Sequence, residues 1–598
     1  IAVFIPLFLM SGYVGLLFRE FAVTVSVALL LSLVISLTLT PMMCARLLRK
    51  NEGRHGWLYR VLERGFDGLL SLYERGLKVA LHHSFITLMV MLGTMALTGY
   101  LYVVIPKGFF PQQDTGMILG IAEASQDISY PAMVERMQAV IRIVSQDPAV
   151  ASMGSQIGAG GATATLNDGR IFIALKPEGE RNASADQVIN RLRPKLAKLQ
   201  GITLYMQAAQ DITIGARLSK TQYQFTLADA DASELSYWAG MFLSKLRSLP
   251  GIVDVTSDQQ NGGPRLDITI DRDAASSHGI LPSTIDNTLA DAFGQRIVST
   301  MFTTLNQYHV VLEVDPKFQY GPTALSSIYV TSALGQQVPL NTLVRSVQNA
   351  APIVVNHQGQ FPSVTISFNL LPGVSIGQAV TEIQSAEAAL GKPASLATSF
   401  QGNAQAFQSS LSSTPILIGA ALVVIYLILG MLYESTIHPI TILSTIPSAG
   451  IGALLMLMAF HFDLSVIALV GIILLIGIVK KNAIMLIDFA LEAERGEGMT
   501  PEEAIYRACV LRFRPILMTT MAALLGAVPL MLGTGTGSEI RQPLGYSIVG
   551  GLLLSQLLTL YTTPVVYLYL DRLRRRSIPP AKAPRAIPGT PSPSPSQA

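Results

Sequence analysis

Apolar residues along the chain collect in two blocks, one toward each end, with a long polar stretch between them. Ile1 to Leu9 reads as the tail of an apolar helix, and Phe21 to Leu39 as a complete spanning segment closed by Thr40 and Pro41, with Arg46, Arg49 and Lys50 beyond. Gly56 to Leu81 has a different pattern. Trp57, Val61, Leu62, Leu69, Tyr73 and Leu77 recur at helical spacing with Arg60, Arg64, Arg75 and Lys78 between them, which predicts a helix lying in the membrane surface or packed on another domain. Phe85 to Val104 spans back. Toward the other end, five more crossings are predicted: Pro415 to Leu432, Ile440 to Phe460, Ser465 to Ala490, Pro515 to Leu532 and Ile548 to Leu570. The tail after Arg576, rich in Pro, Ser and Ala, reads as disordered.

Between Ile105 and Ser413 no apolar run is long enough to span. Alternation and helical spacing there predict a strand (Met117 to Ala124), a helix (Tyr130 to Ser145), two strands (Ala149 to Gln156, Arg170 to Leu175), a helix (Ser184 to Leu199) and a strand (Ile202 to Gln207). That order is βαββαβ, the split βαβ of ferredoxin-like folds. A second copy starts at Gln222, with a helix at Ala232 to Leu249 and strands at Ile252 to Ser257 and Leu266 to Ile270. A polar insertion, Arg272 to Pro352, then precedes a strand at Ser363 to Asn369 and a helix at Ile376 to Leu390. An insertion far beyond ordinary loop length implies a subdomain of its own.

Composition agrees with this division: 598 residues, 50% hydrophobic and 14% charged, are too apolar for an ordinary soluble chain. The fold class is a polytopic α-helical membrane protein with an α+β polar region. A formal charge of +3 argues against a nucleic-acid partner. Basic residues cluster at Arg46 to Lys50, at Arg495, Arg507, Arg512 and Arg514, and at Arg572 to Arg576, all on one side if the crossings alternate. The positive-inside bias makes that side the cytoplasm and puts the polar region outside, in the periplasm of a two-membrane host. Cys44 and Cys509, each beside arginines, provide no disulfide framework or cysteine zinc site.

Candidate chemistry concentrates in SVIALVGIILLIGIVKKNAIMLIDFA, Ser465 to Ala490. A lysine near the bilayer centre costs roughly 2.5–3.5 kcal/mol on insertion scales, so it usually faces a bundle interior and a carboxylate. Lys480 and Lys481 stand about 100° apart on a helix and cannot face one partner together. One is expected inward, with Asn482 beside it and Asp488 two turns beyond Lys481; the alternative is that both stretch toward cytoplasmic headgroups. An amine whose pKa responds to burial suits a proton relay. No Gly-rich phosphate loop, HExxH or nucleophile elbow is found, the methionines are scattered singly, and no cofactor or metal is expected.

The two ends of the chain also align without a gap. Pro6 falls on Pro529, Leu9 on Leu532, Gly12 on Gly535, and ALLLSLVISLTLTP (Ala28 to Pro41) on GLLLSQLLTLYTTP (Gly551 to Pro564), with Ser32 on Ser555. Repeats in one order and orientation indicate a transporter built from two parallel halves. Ile1 falls on Leu524, so the first-half counterpart of the lysine helix is expected to precede Ile1.

Several stretches together resemble the resistance-nodulation-division (RND) efflux transporters of the hydrophobe/amphiphile type: FREFAVTVSVALLLSLVISLTLTPMMCARLL, IPKGFFPQQDTG, MLYESTIHPITILSTIPSAGIGALL, IGIVKKNAIMLIDFALEAERGEG and RFRPILMTTMAALLGAVPLMLGTGTGSEIRQPLG. The resemblance covers Ile1 to Arg576 and makes the chain the C-terminal part of such a protein. It implies a trimeric proton-antiport pump of the inner membrane, homo- or heteromeric, joined to a periplasmic adaptor and an outer-membrane channel and expelling small amphiphiles such as drugs or bile-salt-like molecules.

It also implies a division into helices five and six (1–48), a cytoplasmic amphipathic helix (49–84), a crossing (85–104), a porter subdomain (105–212), a second (213–271 and 353–413), a docking subdomain (272–352), a five-helix block (414–571) and a tail (572–598). Lys481 matches the family lysine that pairs with two aspartates on another helix; Thr519 matches the relay threonine and Arg512 an arginine at the cytoplasmic entrance of the relay, with Asn482 as a position toward which the lysine swings. The loop Gly158 to Asn167 resembles the switch loop, and Phe172 a distal-pocket aromatic. Met153 and Ile157 stand near positions that are often Phe, and Phe172 is otherwise explained as strand core. Alternatives are a non-transporting membrane scaffold or assembly subunit and a metal-ion efflux pump.

Overall fold

The computed structural model describes residues 2–9, 12–47, 57–158, 165–215, 219–319 and 321–577. The tail beyond 577, Arg49, Lys50 and the middle of the Gly-rich loop (159–164) lie outside the described residues. Ala2–Leu9 forms a 3-10 helix around Pro6. It leads into α1 (Gly12–Leu47), which runs through Pro41 instead of closing there, because a proline removes only one rung and membrane helices tolerate that loss. The amphipathic stretch is α2 (Trp57–His82), and α3 (Ser84–Val104) follows after one residue. Tyr73 and Leu77 of α2 are buried; the Tyr73 ring stacks on Phe513 at 4.6 Å and its hydroxyl donates to Leu560 O at 3.0 Å. This helix therefore packs on other helices by its apolar face.

The first polar unit comprises β1 (Met117–Ala124), α4 (Tyr130–Ser145), β2 (Val150–Ile157), β3 (Asp168–Leu175), α5 (Ala185–Leu196) and β4 (Ile202–Ala208). Its antiparallel sheet has the order β2-β3-β1-β4, as the split βαβ requires. Met133, Met137, Val140 and Val144 from α4 and Val188, Ile189 and Leu192 from α5 pack on Ile118, Ile171 and Ile173. Both helices cover the same face; on the other, Lys220 holds Glu123 of β1 at 2.6 Å, while the part around Phe172 of β3 is exposed.

The second unit comprises β5 (Tyr223–Ala228), α6 (Ala232–Arg247), β6 (Ile252–Ser257), and, after an insertion, β14 (Phe361–Leu370), α9 (Ile376–Leu390) and β15 (Ala397–Gln401). Its strands lie side by side as β15-β5-β14-β6, the same topology as the first. The insertion holds β7 (Gly263–Ile270), α7 (Arg272–Ser277), α8 (Pro282–Phe293), the exposed hairpin β8 (Arg296–Phe302) and β9 (Gln307–Leu312), β10 (Tyr329–Thr331), β11 (Gln337–Pro339) and β12 (Val344–Ala351), and β13 (His357–Gln358) after it pairs with β14 in the second unit's sheet. Strand β7, expected in the second unit, pairs instead with β12, Val344 opposite Ile270, and its Leu266, Ile268 and Ile270 pack on the core of the insertion.

The remaining helices are α10 (Asn403–Tyr433), α11 (His438–Leu443), α12 (Ile446–Ala459), α13 (Val466–Glu497), α14 (Pro501–Met531) and α15 (Ser538–Ser577). Among the described residues, seven helical stretches are long and apolar enough to cross a membrane. They outrun the apolar windows because polar caps extend them, as where Thr500 and Glu503 form a capping box on α14. Helices α12 and α15 touch backbone to backbone: a Cβ on Gly452 would overlap Gly550 O, and one on Gly550 would overlap Met456.

At the foot of the first unit, Arg181 holds Asp114 bidentately, both bonds 2.7 Å, and the Ala185 amide donates to the same carboxylate at 3.0 Å. Burial pushes the Asp114 carboxyl up, but the Arg181 and backbone hydrogen bonds outweigh it and hold the group below the ordinary carboxylate range. A depressed carboxylate contributes stability above its unfolded pKa of about 3.9 and loses it as pH falls through the folded value. Arg181→Met is therefore expected to destabilise this unit by about 3–5 kcal/mol at pH 7. The gap from wild type should close as pH is lowered toward 3, read by amide exchange in β1 to β4; a gap independent of pH contradicts the assignment.

Candidate functional site

Helix α13 starts at the polar units. Its N-cap Ser465 accepts from the Ala468 amide at 3.2 Å, and the neighbouring amides of Leu464 and Val466 donate to Pro106 O and Phe109 O, 2.8 and 2.9 Å away in the linker that leads from α3 to β1. From there Val, Ile and Leu carry the helix into the bundle as far as its polar positions. Lys480 is half-buried, Lys481 lies on an exposed face and Asn482 is buried. Among the described residues, no carboxylate pairs with Lys481.

Asn482 turns the other way, into the bundle. Its Nδ2 donates to Thr520 Oγ1 at 3.1 Å and reaches Gln556 Oε1 of α15 at 3.4 Å. Thr519, the matched threonine, is half-buried and donates to Ile516 O within its own helix at 3.1 Å. Arg512, two turns earlier on α14, lays its guanidinium over the Phe489 ring at 4.9 Å. Asp488 accepts from the Tyr433 hydroxyl at 2.5 Å. The structure thus joins Asn482 to Thr520 and Gln556, whereas Thr519 bonds within its own helix and Arg512, two turns away on the same face of α14, stacks on Phe489. Thr520 and Gln556 were missed from sequence, although a glutamine within an apolar span is itself a signal.

In the first polar unit, Ile171 and Ile173 face the core, so strand parity places Phe172 on the opposite face, where it is 43% exposed. Core packing is therefore not what holds it. Across the strands it lies opposite Leu119 and Gly154. Met153 is opposite Ile173, and both Met153 and Ile157 pack against the α4 and α5 core, so they do not share a surface with Phe172. Gly158 closes β2 with φ +64, the left-handed backbone that lets the chain turn into the Gly-rich loop.

A cavity of about 580 Å³ lies where the polar units meet the helix ends, walled by Phe109, Phe110 and Tyr223 and by the carboxylates of Asp186, Asp463 and Glu539. Desolvation, with Asp114 nearby, pushes the Asp186 carboxyl up, and desolvation does the same at Asp463. Arg193, which also lines it, is held by Asp254 at 2.7 Å. The cavity is thus lined by apolar and polar groups together, with three carboxylic acids beside one arginine that is already paired.

A family model, the AcrB/AcrD/AcrF family, matches residues 1–571. The geometry predicts that Phe172→Ser leaves the melting temperature of the purified protein unchanged, since an exposed side chain contributes within about 0.5 kcal/mol. Met153→Ala is expected to cost about 1–2 kcal/mol, less than full core burial. A destabilised Phe172→Ser protein would reverse the assignment of the two faces.

Proposed function

Because the chain belongs to the AcrB/AcrD/AcrF family of RND transporters, membrane transporters and not an enzyme class, we propose that it expels small amphiphiles across the bacterial inner membrane in exchange for protons. The observation that carries this reading is the placement of Lys481 beside a buried amide network on a helix whose first amides are tied to the polar units. Protonation of a carboxylate facing Lys481 weakens its hold on the ammonium and alters the local charge by one unit. That carboxylate would come from outside the described residues. Lys481 then shifts its contacts toward Asn482 or Thr519, α13 tilts, and the Pro106 and Phe109 bonds pass the motion to the linker under the first sheet. Arg512 at the cytoplasmic end of α14 keeps the local potential positive where protons leave.

On the other side of the membrane, the exposed part of the sheet around Phe172 and the cavity at its foot offer apolar surface and polar groups together, as a path for amphiphiles requires. Its carboxylates favour positively charged head groups over bile-salt-like anions. RND transporters generally form trimers and work with adaptors and outer-membrane channels. We read this chain as a subunit of such a trimer, its polar region periplasmic, with the insertion from β7 to β12 as the part that meets the channel. Membrane lipid surrounds the helices.

The test is flux in proteoliposomes containing the full-length protein, with a fluorescent cationic dye and an imposed pH gradient. Lys481→Met is expected to abolish gradient-driven flux, a loss of at least about a hundredfold for a relay group, while dye binding persists. Gradient-driven flux retained by Lys481→Met would refute the relay.

A further inference from the structure

Gln556 lies in the middle of α15, and its carboxamide is engaged on one side only. Its Oε1 is 3.4 Å from Asn482 Nδ2, whereas its Nε2 is buried with no hydrogen-bond partner. A buried amide donor without an acceptor is costly in a helix bundle, and membrane helices that retain such a group usually use it. In the repeat, LLLSL (Leu29 to Leu33) aligns with LLLSQ (Leu552 to Gln556), so the other copy carries an exposed Leu33 where α15 carries a glutamine with a buried amide.

Thr520 Oγ1 and Gln556 Oε1 both lie within 3.4 Å of the same Asn482 nitrogen. We propose that Gln556 is a positioning residue of the relay: it holds Asn482 turned away from Lys481 in this state, and its free Nε2 takes over Thr520 Oγ1 when Asn482 rotates toward the lysine. The exchange leaves no new orphan on Thr520 and gives the two orientations of Asn482 comparable hydrogen bonding, which a relay that must cycle needs. Gln556 also lies on the helix whose first turn carries Glu539 at the cavity.

This inference rests on the proton-relay reading, and the experiment separates the two. Full-length Gln556→Leu, which installs the residue of the other repeat, is compared with Gln556→Asn, Gln556→Met and Lys481→Met in proteoliposomes, with melting temperatures alongside. Gln556→Leu and Gln556→Met should keep the fold and the half-saturating dye concentration, lower maximal flux roughly tenfold, the effect of about one hydrogen bond on a barrier, and displace the pH profile of flux. Gln556→Asn should restore most of both. Wild-type maximal flux and pH profile in the folded Leu and Met variants, with Lys481→Met inactive, overturns the role of Gln556 alone. An Asn variant as impaired as Leu also overturns it, and gradient-driven flux in Lys481→Met removes the relay and this proposal together.

Discussion

A polar or charged side chain inside an apolar helix bundle must find its partners within the bundle, and α13 carries two lysines and an asparagine at that depth. Asn482 meets the constraint through Thr520 on one neighbouring helix and Gln556 on another. One side chain thus bridges α13 to α14 and α15. Lys481 lies on an exposed face of the same helix, where no carboxylate among the described residues pairs with it.

At its other end, the helix is tied to the polar units. The amides of Leu464 and Val466 bond to carbonyls of the linker that enters the first sheet, while Gly377 at the start of α9 donates to Lys107 O at 3.1 Å in the same linker. Both polar units are therefore fastened to one short segment above α13. The close backbone contact of α12 with α15 at Gly452 and Gly550 makes the bundle below it stiff, so rotation of one helix is shared by its neighbours.

Much of this fold was legible in the sequence because the signals were periodic. The spanning runs, the helix at Tyr130–Ser145 and the βαββαβ order of the first unit follow from hydrophobic period and length. Strand β15 was not read, since ATSFQ is short and nearly all polar and becomes a strand only by pairing with β5. The partner of β7 was misplaced for a related reason: alternation shows a strand, not its neighbour. At the site, the lysine and asparagine were conspicuous as charge in an apolar run. Met153 and Ile157 depended on strand register, which fixes the face each side chain takes and is invisible until the strands pair. Thr520, beside the matched Thr519, differs from it only by about 100° of helix rotation.

The central claim is that proton movement past α13 and substrate movement past the sheets are one coupled process. It is tested most directly by reversing the pH gradient across proteoliposomes that hold the full-length protein, without changing dye concentrations. Coupled exchange predicts that net dye flux reverses with the gradient and stops when the gradient is collapsed. Flux that keeps its direction and rate regardless of the gradient would contradict the account.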